Sequence, residues 1–300
     1  MRTRELTIAV AATLGCAAAA QYEPDTLKPL PPVCDVFVLP GGQAESMYAV
    51  GIEQWRKLAP ASELLKTDLS DHYFNDRGGN GRGPASAMGL SMSVAVRLGG
   101  AGRTRRSGAY LRAGFTYQRH DGTDLLLRKE TRTPYDSLTS AQTGQVTYVD
   151  SLTISRYDLT HTYSDIALDA SLIFLKEYPK RWSLYGGAGL KLGMSFSGRV
   201  QVIHTVEHRT DPSLVTGTGP QDRDMEATRE EFTTDGDLCL ALYVPLGVSY
   251  RLGKKSAFWR AMNLSYELRP SLDFGGVPEL AAGARAGLGQ FFGLRVDLVK

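Results

Sequence analysis

The run His161-Thr162-Tyr163-Ser164-Asp165 holds the residue types of a nucleophilic hydrolase in close succession. On an extended strand His161 and Ser164 point to opposite faces, because their spacing is odd. A His–Ser dyad therefore fails within one strand. His204, His208, Asp211, Asp235 and Asp237 form a second Asp/His set; solvated loop residues are its plainer reading. No Cys/His spacing matches a zinc site, and no glycine-rich phosphate cradle stands out. Neither a cofactor nor a metal is expected, and no catalytic set emerges.

A larger group of chemistry-bearing residues shares one property. Glu53, Arg97, Arg112, Asp165, Asp169, Lys191, Arg251, Glu267, Arg269, Arg285, Arg295 and Asp297 each fall on the polar face of an alternating segment. If those faces enclose a narrow space, unpaired charges there would cost several kcal/mol each, so they must pair. The expectation is a salt-bridge network that plugs a lumen. The functional alternative is a gated pore or a proton path.

The segments that position these charges read as β-strands, because alternate side chains share a face. In 182–197, Trp182, Leu184, Ala188, Leu190, Leu192, Met194 and Phe196 oppose Ser183, Tyr185, Gly187, Gly189, Lys191, Gly193 and Ser195. The same pattern recurs over 88–98, 109–118, 165–174, 237–252, 262–269 and 280–298. Met47 to Trp55 alternates poorly and is taken as the first strand. An even strand number then puts both termini on one side. Sandwich strands alternate as well. Three details favour a membrane ring: apolar faces near bilayer-spanning length, an opposite face rich in Gly, Ser and Ala, and an export signal.

That signal comprises basic Arg2 and Arg4, an apolar run from Leu6 to Gly15, and an Ala18/Ala20 site with cleavage before Gln21. Leu14-Gly15-Cys16 also resembles a lipobox, with Thr13 unfavourable. Cys34 and Cys239 remain as two free thiols. A formal net charge of +2 and no basic stripe exclude nucleic acid as the main partner. The proline-bearing stretch 21–42 reads as a periplasmic lead, and 43–300 as the membrane domain.

Short connections near 99–106, 177–181 and 253–260 alternate with long ones near 56–85, 119–162 and 198–236; the link at 275–279 is short. Short periplasmic turns and long extracellular loops set the orientation. The short turns are basic, with Arg103, Arg105, Arg106, Lys176, Lys180, Arg181, Lys254, Lys255 and Arg260. Tyr178, Trp182, Tyr250, Phe258 and Trp259 form an aromatic belt beside them. Patterning through Val146–Ile154 and Val200–Ile203 carries the hairpins beyond the bilayer, with tips near 133–144 and 211–224.

The strand, basic turn and strand of Met88–Gln118, with Gly114-Phe115-Thr116-Tyr117, resemble the outer-membrane β-barrel family that includes OmpA/OmpX-type and PorT-like proteins. The resemblance covers about residues 43–300. It implies an all-β, eight-stranded antiparallel up-and-down transmembrane barrel with long extracellular hairpins, in the bacterial outer membrane. The C-terminus, Leu298-Val299-Lys300, lacks the family's terminal aromatic. The leading functional expectation is a non-enzymatic porin-like cell-envelope protein with a structural, surface-binding or secretion/assembly role. Its partners would be outer-membrane lipids and, through its loops, other envelope or secretion proteins. The alternatives are a barrel enzyme (lipid hydrolase, acyltransferase or protease) or a narrow solute pore.

Overall fold

The computed structural model describes residues 33–45, 51–74, 85–98, 107–139, 141–144, 146–178, 181–210, 224–275 and 284–298. The expected signal peptide, the tip expected near 211–224 apart from Asp224, and the basic turn at 99–106 lie outside them. The elements are β1 (Val33–Glu45), α1 (Ile52–Leu58), α2 (Glu63–Lys66), β2 (Tyr73–Phe74), β3 (Ala85–Arg97), β4 (Gly108–Thr139) and β5 (Val146–Glu177). There follow β6 (Trp182–Thr210), β7 (Asp224–Thr234), β8 (Leu238–Tyr243), β9 (Leu246–Arg251), α3 (Ala257–Ala261), β10 (Met262–Gly275) and β11 (Arg285–Asp297). No helix among the described residues is long and apolar enough to cross a membrane, which says nothing about strands.

Every pairing is antiparallel, and β1 pairs with both β3 and β11, so the sheet closes on itself. The ring passes through β1, β3, β4, β5, β6, β8 with β9, β10 and β11. β8 and β9 form one stave broken at Val244-Pro245. Proline lacks the N–H a ladder needs, but its carbonyl still accepts from Gly187 N at 3.1 Å.

The first strand is not where the alternation predicts it. Residues 33–45 form it, inside the stretch read as a lead, and residues 52–58 form a helix. In β1, Asp35, Phe37, Leu39, Gln43 and Glu45 are buried on the inner side. Pro40 disguises the strand, and the β11 ladder skips Leu39 and Pro40. Ile52, Trp55 and Leu58 recur every third residue, a helical rather than an extended spacing. The Gln54 side chain accepts from Gly51 N at 2.6 Å and caps the turn.

β4 and β5 each run 32 residues and project well past the ring as one hairpin. The ring's level ends at two β-bulges. Three steps of β4 (His120 to Thr123) oppose two of β5 (Tyr163 to His161), and β6 likewise gains a residue between Phe196 and Arg199. Ser197 adopts φ 53° there. One inserted residue turns the following side chains to the other face.

Polarity reverses at these bulges. Within the ring, Leu168, Phe174, Leu192 and Phe292 are exposed on the outside, whereas Arg112, Asp169, Glu267 and Arg269 are buried inside. Beyond the bulges, Leu125, Leu127, Val200 and Val202 are buried inward, and Asp124, Glu130 and Asp158 lie exposed. Trp55, Leu58 and Leu65 of α1 and α2 pack on that inward face with Leu159 and Tyr157. Glu230 of β7 ties the second helix down, accepting from Ser62 Oγ and from Glu63 N at 3.2 Å. The hairpins and helices thus form a capped platform with its own apolar core.

Candidate functional site

The interior of the ring contains three tiers of charge. At the turn end, Arg295 reaches Asp297 at 3.1 Å, Asp35 at 3.6 Å and Glu177 at 3.6 Å. Its Nη1 donates to Ser183 Oγ at 3.0 Å. Arg251 pairs with Glu177 at 3.2 Å. β11 and β5 are opposite staves, so the Arg295–Glu177 contact crosses the lumen.

The middle tier crosses it again. Arg112 on β4 donates two bonds to Glu267 on β10, at 2.6 and 3.1 Å. Arg269 donates to Glu267, to Asp169 at 3.2 Å and to Ser91 Oγ at 3.1 Å, and lies 4.3 Å over the Phe291 ring. Tyr185 donates to Glu267 at 2.6 Å, and Tyr243 donates to Asp169. Two glycines make room for these phenols. A Cβ on Gly247 would stand 2.0 Å from Tyr185 Cζ, and one on Gly189 2.3 Å from Tyr243 Cζ. The fork geometry of arginine satisfies several acceptors at once, as a buried charge requires.

The upper tier is looser. Arg285 pairs with Glu45 at 3.1 Å. His120 lies between Glu45 at 3.7 Å and Asp165 at 3.5 Å, stacked on Tyr163 at 4.2 Å. Lys191 donates to Gln118 at 3.4 Å. A cavity of about 30 Å³ lies among Glu45, His120, Asp165, Lys191, Asp273 and Arg285. That is room for about one water molecule.

Of the expected set, Arg112, Asp169, Glu267 and Arg269 meet in the middle, Asp165, Lys191 and Arg285 above, and Arg251, Arg295 and Asp297 below. Arg97 sits at the ring's edge and donates to Ser107 O at 3.3 Å. Glu53 is misplaced by the expectation. It lies exposed on α1, paired with Arg56 at 2.6 Å, because its segment is helical. The alternation also misses Asp35 and Glu45, which lie on the strand read as a lead. It treats Tyr185 and Tyr243 as members of a small-residue face, although both phenols hold carboxylates.

The platform carries a second cluster. All the chain's histidines, His72, His120, His161, His204 and His208, lie at or past the bulges. Ser155 Oγ lies 2.9 Å from His204 Nε2 and 3.2 Å from His72 Nε2. Tyr157 buttresses both rings, stacked on His204 at 4.2 Å and edge-on to His72 at 5.2 Å. A serine–histidine contact therefore exists, between strands rather than within one. One hydroxyl has one proton, so it donates to one imidazole and must accept from the other. Burial lowers the affinity of His72 and His204 for a proton, with Lys129 and His204 adding to the effect on His72. Burial, with His120 behind it, brings His161 down to about 4. His161 meets Thr234 Oγ1 at 3.3 Å and stacks on Tyr163. His161 and Ser164 make no dyad. The expected Asp235 and Asp237 lie beside the β7–β8 join; Asp237 N donates to Ser195 Oγ at 2.8 Å. Asp211 lies outside the described residues.

Among the described residues, no group of three or more His, Cys, Asp or Glu is placed to hold a metal ion. Cys239 is a free thiol; the Cys34 side chain lies outside the described residues.

No family profile matches this sequence, and no curated protein matches it. Among solved structures, the chain is similar to Ail, the attachment invasion locus protein of Yersinia pestis, in complex with the heparin analogue sucrose octasulfate. The two share 10% identity and a TM-score of 0.28, over 87% of this chain and 98% of that one.

Proposed function

We propose that the chain is an integral protein of the bacterial outer membrane, a β-barrel closed to solutes by its internal charges, whose working surface is the capped platform. The reversal of polarity at the bulges carries this reading. Apolar side chains face outward mainly along the ring, where lipid would solvate them, and mostly inward beyond it, where water would surround the hairpins; Val146 and Met225 are exposed near the hairpin ends. The turns then lie in the periplasm and the platform outside the cell. A rigid platform held by two long hairpins suits a non-enzymatic role in surface binding or envelope assembly.

The test uses a variant whose sole tryptophan is Trp182, reconstituted in vesicles with brominated acyl chains. Its fluorescence should be strongly quenched, and a variant retaining only Trp55 should not be. Equal quenching of the two would overturn the reading.

A hydrolase is the second reading, favoured by the contact between Ser155 Oγ and His204 Nε2 at 2.9 Å. The chemistry needs that hydroxyl free to lose its proton, and His72 sharing it works against this. Covalent labelling of Ser155 by a fluorophosphonate, abolished in His204→Ala, would establish the hydrolase and displace the leading reading.

A further inference from the structure

The turn end of the ring carries two concavities that adjoin. One is a groove of about 690 Å³ between Arg181 and the α3 turn, lined by Arg181, Lys254, Lys255, Ser256 and Trp259. No carboxylate lines it, and none of its cations has an ion pair among the described residues. The other is a trough of about 270 Å³ in the outer wall, lined by Trp182, Val248, Tyr250, Leu264 and Phe292 with Ser265 and Tyr266. Arg181 of the groove and Tyr250 of the trough are neighbours. The Tyr250 ring contacts Trp182 at 4.8 Å, and its hydroxyl accepts from Arg181 Nη1 at 3.5 Å. Arg181 is fixed here by its backbone: φ is 79°, and its carbonyl accepts from Arg251 N at 3.0 Å.

We propose that this pair of concavities is a binding site for one acidic phospholipid, its phosphate headgroup in the groove and an acyl chain along the trough. The inference rests on the membrane reading above. Charge complementarity selects the occupant: three cations with no ion pair among the described residues line the groove, and guanidinium and ammonium donors suit phosphate oxygens. The adjoining apolar trough selects a lipid over a free anion. Trp182 and Trp259, both half exposed, stand at the level where an aromatic belt meets headgroups. α3 places Phe258 and Trp259 beside the groove, so the turn itself lies along the interface. Lys254 and Lys255 thus reach the headgroup layer from a segment that the ring anchors through Leu252 N bonding to Met262 O at 3.0 Å.

The test reconstitutes the full chain in nanodiscs of mixed phosphatidylcholine and phosphatidylglycerol and counts retained lipids by native mass spectrometry. Wild type should hold one phosphatidylglycerol in preference to phosphatidylcholine by at least about fivefold, the effect of a single interfacial cation. The triple variant Arg181→Gln/Lys254→Gln/Lys255→Gln should fall to parity while its ring stays protease-resistant. Val248→Trp, which fills the trough, should lower retention of the acidic lipid with the cations intact. Equal retention of both lipids by wild type, or an unchanged preference in the triple variant, overturns the site alone. Failure to enter nanodiscs of any composition overturns the membrane reading as well.

Discussion

Arg269→Met is the sharpest perturbation of the lumen. The wild-type guanidinium serves Glu267, Asp169 and Ser91, and lies over Phe291. The substitution keeps much of the volume and removes the charge. Glu267 keeps both bonds from Arg112 and the Tyr185 phenol. Asp169 keeps the Tyr243 phenol and a long contact to Thr116 Oγ1 at 3.4 Å, but loses its cation. Both partners of the Arg269–Asp169 pair are essentially buried, at 1% side-chain exposure each. Removing one member of such a pair costs about 3–5 kcal/mol, because the other charge stays behind uncompensated. Asp169→Asn alone should cost a similar amount, leaving Arg269 with Glu267 for company. The double variant Arg269→Met/Asp169→Asn should recover at least about 2 kcal/mol relative to the sum of the single changes. Urea unfolding in lipid vesicles, followed by tryptophan fluorescence, measures all four corners of the cycle. Strictly additive losses, or a single-variant cost under about 1 kcal/mol, would refute the buried, compensated network.

Other consequences concern the platform and the glycine face. His161 has its proton affinity depressed to about 4 from 6.5 in the folded chain. Its stabilising contribution is therefore complete above about 6.5 and is lost as pH falls toward 4, a span worth on the order of 3 kcal/mol. Limited proteolysis should show the platform opening over that window, with the effect reduced in His161→Gln; a flat profile would contradict the assignment. Trp55→Ala removes the largest buried side chain of the platform core and should cost about 3–5 kcal/mol there. Cleavage between residues 51 and 74 should rise while the ring stays resistant to protease. Gly247→Ala forces Tyr185 off Glu267 and should destabilise the ring by roughly 1–3 kcal/mol. Tyr185→Leu in the same chain should relieve most of the clash, as the unfolding midpoint would show.

The ring was readable because its outer and inner faces sort side chains strictly by parity. Leu184, Leu190 and Leu192 against Ser183, Gly189 and Lys191 report that sorting directly. Ten of the twelve charges placed inward by parity lie on the ring's interior; Arg97 stands at its edge, and Glu53 lies outside it on a helix. Parity fails where the backbone inserts a residue. The bulges in β4 and β6 are marked only by Asp121-Gly122 and Ser197-Gly198, and in a chain whose strands are rich in glycine these do not give the register, so the change from polar to apolar interior at Leu125 and Val200 emerges only from the pairing. Parity also fails for β1, where Pro40 and the preceding prolines imitate an unstructured lead. The cap was hidden for another reason. Trp55, Leu58 and Leu65 sit on helices of seven and four residues, too short for a helical period to stand out. The Ser155–His204 contact joins residues 49 apart on neighbouring strands, and a search for chemistry along single strands passes over it.

The most direct test of the account is single-channel recording of the full chain in a planar lipid bilayer. With Arg112–Glu267 and Arg295–Glu177 spanning the lumen, wild type should show no steady conductance above the bare membrane. The double variant Arg112→Ala/Arg269→Ala should introduce current fluctuations. A large, stable conductance from the wild-type chain would contradict the closed ring and restore the pore.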